Sequence, residues 1–114
     1  MNQASESMSA EAFIVVGESS EGTRTLKLSG VVDVTRARAL LDAARSCCAC
    51  RSSVAIECST VERLDAAGLQ VLLALARKLR DMKLDVRLRR PSDAVTAAVR
   101  LVGVATELPT DEAP

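Results

Sequence analysis

Ser53-Val54-Ala55-Ile56-Glu57-Cys58, followed by Leu64-Asp65-Ala66-Ala67-Gly68-Leu69, decides how this chain folds. The first run is short, apolar and partly β-branched, the composition of a buried strand. From Leu69 the pattern changes period. Leu69, Leu72, Leu73, Ala76 and Leu79 recur on one helical face, with Gln70, Arg77, Lys78 and Asp81 opposite. Val71 and Leu75 widen the apolar arc beyond what covering a sheet needs, which points to a partner surface. Between strand and helix stands Asp65. An Asp there is a suitable N-cap, worth ~1 kcal/mol when its carboxylate accepts from the first free amides. The same turn directs N–H groups and the positive dipole end outward, a setting for a phosphate or an anionic partner group. Positions 66 and 67 are alanines, so this corner has no hydroxyl to modify.

Working outward, Ala12 to Val16 reads as a strand and Gly17 to Gly22 as a turn. Thr23 to Ser29 alternates, with Leu26 and Leu28 on one face, so the first two strands form a hairpin. Gly30-Val31-Val32-Asp33 leads into a helix over Thr35 to Ala49, with Ala39, Leu40, Ala43 and Ala44 at helical spacing. Asp33 and Thr35 at its start read first as capping residues. Downstream, Asp85 to Arg89 is a strand. Pro91-Ser92-Asp93 opens a helix through Arg100, Gly103 stops it, and Thr106 to Leu108 makes a short closing edge strand. This order gives one α/β domain over residues 12–109. Its central mixed sheet has about four to five strands covered by about three to four helices. Residues 1–11 read as a disordered tail and 110–114 as a second tail.

Composition removes several function classes. Of 114 residues, fifteen are basic and fifteen acidic, so no electrostatic footprint for nucleic acid exists. Phe13 is the one aromatic residue, which leaves no stacking platform for bases. Histidine is absent, and with it the commonest general base and metal ligand. No carboxylate pair is placed for acid–base work, no Gly-rich phosphate loop appears, and no cofactor is expected. An enzyme is therefore not expected. Cys47, Cys48 and Cys50 crowd one helix end, but adjacent helical side chains diverge by about 100° and cannot converge on one metal. They read as packing or surface thiols. Neither a signal peptide nor a run of ~20 apolar residues is present. The expectation is a cytoplasmic protein with reduced cysteines.

Four segments in order resemble the STAS domain family of anti-anti-sigma factors and sulfate-transporter cytoplasmic domains. Leu26-Lys27-Leu28-Ser29-Gly30-Val31-Val32-Asp33 resembles the family's strand, Gly, and helix-opening Asp. Val54-Ala55-Ile56-Glu57-Cys58-Ser59 resembles its central strand, with Glu57 where Asp is more usual. Leu64-Asp65-Ala66-Ala67-Gly68-Leu69 resembles its Asp-Ser-Ser-Gly-Leu motif. Arg89-Arg90-Pro91-Ser92 through Leu101-Val102-Gly103 resembles its last strand and helix. The resemblance implies a protein-docking module whose partner is an anti-sigma factor of the serine-kinase type. In regulated members that partner phosphorylates the first Ser after the Asp, and the added charge breaks the complex. Ala66 stands at that position here, so the phosphoacceptor does not carry over. The implied partner surface comprises Asp33, Asp65, Ala66, Ala67, Gly68 and Leu69, with Ser59 and Thr60 in the preceding loop as the nearest hydroxyls. Capping remains the alternative for Asp33 and Asp65, and close helix packing for Gly68. Small STAS proteins with an Asp-Thr-Ala-Gly motif provide a second implication, a subunit of a lipid-transport ABC complex or a chemotaxis-associated protein. Nucleotide binding is the third.

Overall fold

The structure, a computed structural model, describes residues 14–18, 22–103 and 107–111. Strand β1 (Ile14–Glu18) and strand β2 (Thr23–Val32) form an antiparallel hairpin, with Ile14 opposite Leu28 and Glu18 opposite Arg24. Helix α1 (Val34–Ala49) then leads to β3 (Ser53–Leu64), and α2 (Ala66–Asp81) to β4 (Val86–Arg89). Helix α3 (Asp93–Val102) precedes β5 (Thr110–Asp111). The strands lie side by side in chain order, and every pair after the hairpin is parallel. Parallel neighbours require a crossover, and the helices provide it. This is an α/β single domain with three helices among the described residues.

One apolar core joins sheet and helices. Leu26 and Leu28 of β2, Ile56, Cys58, Val61 and Leu64 of β3, and Leu88 of β4 meet Leu40, Ala44 and Cys47 of α1. Leu69, Leu72, Leu75, Ala76 and Leu79 of α2 complete it with Val95 and Val99 of α3. The buried spacings on all three helices are the i, i+3, i+4, i+7 steps of a single face.

Several boundaries differ from the sequence reading. Gly17 belongs to β1, and β2 runs on through Gly30 to Val32. Gly30 sits at φ +74°, which a residue without Cβ adopts freely. Strand β3 does not end at Cys58 but continues to Leu64, so Ser59 and Thr60 are strand residues, not loop residues. The reason is the pairing with β2. Lys27 faces Glu57 and Ser29 faces Thr60; Gly30 faces Val61 and Val31 faces Arg63. At each step β3 spends one residue more than β2, a pair of bulges that keeps the ladder going while displacing polar residues outward. The buried positions Ile56, Cys58, Val61 and Leu64 follow that broken rhythm, and strict alternation could not have found them. Leu75 is also reassigned. It is 2 % exposed, because α2 packs against α1 as well as the sheet and so needs the wider apolar arc. The closing strand falls at Thr110–Asp111 instead of Thr106 to Leu108, beyond residue 109, and Leu108 is buried. Ala12 and Phe13 lie outside the described residues, as do residues 1–11.

Candidate functional site

The corner between β3 and α2 is held by its backbone. The Asp65 N–H donates to the Val32 carbonyl (2.9 Å), and the Asp65 carbonyl accepts from Leu69 N–H (3.0 Å) as the first bond of α2. This ties the start of α2 to the end of β2, one residue before Asp33. The two acidic residues of the sequence reading, Asp33 and Asp65, thus stand at neighbouring helix starts.

They do different work. Asp33 Oδ1 accepts from the Thr35 backbone N–H (3.1 Å) and from its hydroxyl (2.6 Å). The Thr35 hydroxyl bond is the main cause holding the Asp33 carboxyl below its ordinary value, with help from the amides of Thr35 and Arg36. Arg36 reaches back to donate from Nη1 to the Val31 carbonyl (2.8 Å). Asp65 has extended backbone angles suited to an N-cap, yet its side chain makes no cap hydrogen bond. Its carboxylate lies 3.7 Å from Arg63 Nε, with both groups solvated, a contact of little energetic weight. The expected capping by Asp65 is therefore absent, and the carboxylate remains available.

Ala66 is exposed and Ala67 half-buried, while Gly68 and Leu69 are buried. A Cβ on Gly68 would sit 2.7 Å from Val32 Cγ1, 3.1 Å from Leu64 Cδ1 and 3.3 Å from the Val32 carbonyl oxygen. Gly68 is what lets α2 lie this close to β2, and Leu69 packs into the core at 4 % exposure. Both position the corner from beneath, and its outward face is Asp65, Ala66 and Ala67.

Ser59 and Thr60 are not beside this face. They precede Asp65 by six and five residues respectively, on the order of 15–20 Å along the strand. Ser59 Oγ donates to Glu57 Oε2 (2.9 Å), and Thr60 Oγ1 donates to Ser29 Oγ (3.0 Å). Their hydroxyls serve the bulged strand.

Two features went unnoticed in the sequence. Ser92 Oγ donates to the Val61 carbonyl (2.7 Å) and accepts from Val95 N–H (3.3 Å), and its own N–H donates to Cys58 O (3.2 Å). One residue thus caps α3 and fastens the bulged part of β3. Its place after Pro91 signalled the cap, but nothing local signalled the strand contact. Val34, the first residue of α1 and next to Asp33, is 70 % exposed, a β-branched side chain on the corner's flank. Of the cysteines, Cys47 is buried, Cys48 half-buried and Cys50 exposed. Burial pushes the Cys58 thiol up to about 12, reinforced by the Glu57 carboxylate. No group of three metal-ligating side chains occurs among the described residues. No helix there is long and apolar enough to cross a membrane.

Residues 16–110 match the family described as "Mlab, STAS domain". The chain belongs to the STAS domain family. Among solved structures, it is similar to an anti-sigma factor antagonist from Mycobacterium paratuberculosis, at 26% identity and TM-score 0.78, covering 88% of this chain and 85% of that one. A putative anti-sigma factor antagonist from Thermotoga maritima shares the fold at 12% identity and TM-score 0.76, covering 88% and 86%. So does the anti-sigma factor antagonist SpoIIAA in its unphosphorylated form, at 14% identity and TM-score 0.73, covering 86% and 87%. No curated protein matches the chain by sequence.

Proposed function

We propose that this STAS domain is a non-enzymatic regulatory module that sequesters a protein partner at the β3–α2 corner. The partner class is an anti-sigma factor of the serine-kinase type, met in the cytoplasm. The observation that carries the reading is the uncapped corner. Asp65 makes no cap bond at a helix start that it could have capped and meets only a solvated Arg63 at 3.7 Å, beside an exposed Ala66. A carboxylate held only by that loose, solvated pair is available to a partner's donors, and small neighbours permit close approach. Asp33 and Val34 extend the surface along α1, whereas Gly68 and Leu69 support it from within. Likeness to the Mycobacterium paratuberculosis antagonist supports the partner class. Because Ala66 has no hydroxyl, release by phosphorylation at this position is impossible, and the complex is constitutive or controlled elsewhere.

Affinity capture with the wild type, Ala66→Asp and Ala66→Ser tests this. A carboxylate added beside Asp65 should release a kinase-type partner, and Ala66→Ser should become its substrate. Retention of every partner by Ala66→Asp would move the docking surface elsewhere. A second reading, a subunit bound to a transporter ATPase, draws on Ala67-Gly68, which keep the small pair of the Asp-Thr-Ala-Gly pattern. Capture of an ATPase with no kinase-type protein would select it.

A further inference from the structure

The outer junction of α1 and α2 is a concave site that the corner does not use. A cavity of about 320 Å³ lies between the helices, lined by Leu41, Ala44, Arg45, Cys48, Ala74, Leu75 and Lys78. That volume is at the lower end of the ~300–1,000 Å³ usual for small-molecule pockets. It lies near Ala74, eight residues beyond Ala66 and thus about 12 Å along α2 from the corner. Its floor is apolar: Ala44 and Leu75 are core residues, flanked by half-buried Leu41 and Cys48. Among the described residues its two charged lining side chains are both cations, and no acid lines it.

Arg45 and Lys78 are exposed, and neither enters an ion pair with another described residue. The contrast lies one residue away, where Arg77 holds Glu107 at 2.8 Å. Lys78 lies close enough to Cys48 for its charge to oppose the upward push of burial on that thiol. Two unpaired like charges on opposite walls of one apolar cleft repel each other mildly, and an anion between them converts that into attraction. The apolar floor adds a favourable contribution for every methylene removed from water.

We propose that the α1–α2 cleft binds a small single-chain amphipathic anion, an unbranched alkyl chain on the Leu41, Ala44, Leu75 floor with its carboxylate between Arg45 and Lys78. A neutral chain would leave the cations unmatched and a cationic one would be repelled. The volume matches one short chain. This site is independent of the corner, so either can fail without the other.

Cys48 in the wall gives the readout. Alkylation by iodoacetamide is followed by tandem mass spectrometry on the full chain, with exposed Cys50 as internal reference. Decanoate below its micellar range should slow Cys48 by about fivefold or more at several times its Kd, leaving Cys50 unchanged. Decanol and decyltrimethylammonium should not match it. The double change Arg45→Glu with Lys78→Glu should abolish protection, Lys78→Gln alone should weaken it, and Ala74→Leu should fill the cleft and block it. Absence of protection by decanoate overturns the site. Equal protection by the neutral or cationic chain, or protection that survives both Lys78→Gln and the double reversal, overturns the anion.

Discussion

Helices α1 and α2 both begin after an Asp, on neighbouring strands and at the same end of the sheet, yet the two residues are spent differently. Asp33 turns inward to its own helix and satisfies Thr35 twice. Asp65 leaves its helix start without a side-chain bond and stands in solvent near Arg63. Residue type alone therefore does not assign the role. Asp33 has a hydroxyl two residues on that locks the carboxylate; at the matching place after Asp65 there is only Ala67. The first start is built for stability. The second leaves its carboxylate uncommitted to its helix.

The comparison is broken most severely from below. Gly68→Ala gains helix propensity but drives a methyl into Val32 Cγ1 at 2.7 Å. Overpacking of this kind costs roughly 1–3 kcal/mol, more than the ~1 kcal/mol of propensity regained. Denaturant unfolding should therefore show a net loss; a gain in stability would mean that α2 can shift away freely. Next comes Ser92→Ala at the third helix start, which removes a cap and orphans the Val61 carbonyl. A loss of about 1–2 kcal/mol is expected by the same assay. Asp33→Ala should then lower Tm by a few degrees, whereas Asp65→Ala should change stability by less than about 0.5 kcal/mol. Equal losses from the two would remove the distinction drawn here.

Titration sharpens it further. The Asp33 carboxyl is held below its ordinary value, so its contribution exists where the carboxylate is charged and is lost as pH falls below the usual range near 4. The Tm gap between wild type and Asp33→Ala should close on acidification. A further effect is alkaline. With its folded value raised to about 12, the Cys58 thiol favours folding below its unfolded value, and that contribution declines as pH rises from there toward 12. Cys58→Ala should flatten the fall in Tm above about pH 9, whatever it does to Tm at neutrality.

The fold was legible wherever periodicity carried it. Leu69, Leu72 and Leu79 announced α2, and Leu26 with Leu28 announced the inward face of β2. Legibility failed where tertiary pairing overrode local pattern. Ser59 and Thr60 looked like loop residues because nothing near them shows that β2 and Ser92 hold the bulged strand together. Leu75 looked superfluous because a single helix does not reveal that α1 will lie beside it. At the corner, Gly68 and the missing hydroxyls were readable from residue type. The free carboxylate of Asp65 was not, because whether a side chain caps depends on a rotamer choice that residue type does not fix.

The paired bulges in β3 carry a consequence for how this surface can evolve. Away from its two bulges β3 alternates, so a residue added or removed in a regularly paired stretch before Leu64 would rotate everything beyond it to the opposite face. A one-residue deletion of that kind would turn Leu64 out and Asp65 in, erasing the corner although residues 65–69 themselves were unchanged. Substitution is far freer, since nothing packs against an outward methyl or hydroxyl at 66. The lineage of this corner can thus rewrite its chemistry letter by letter, but it is bound to a fixed count.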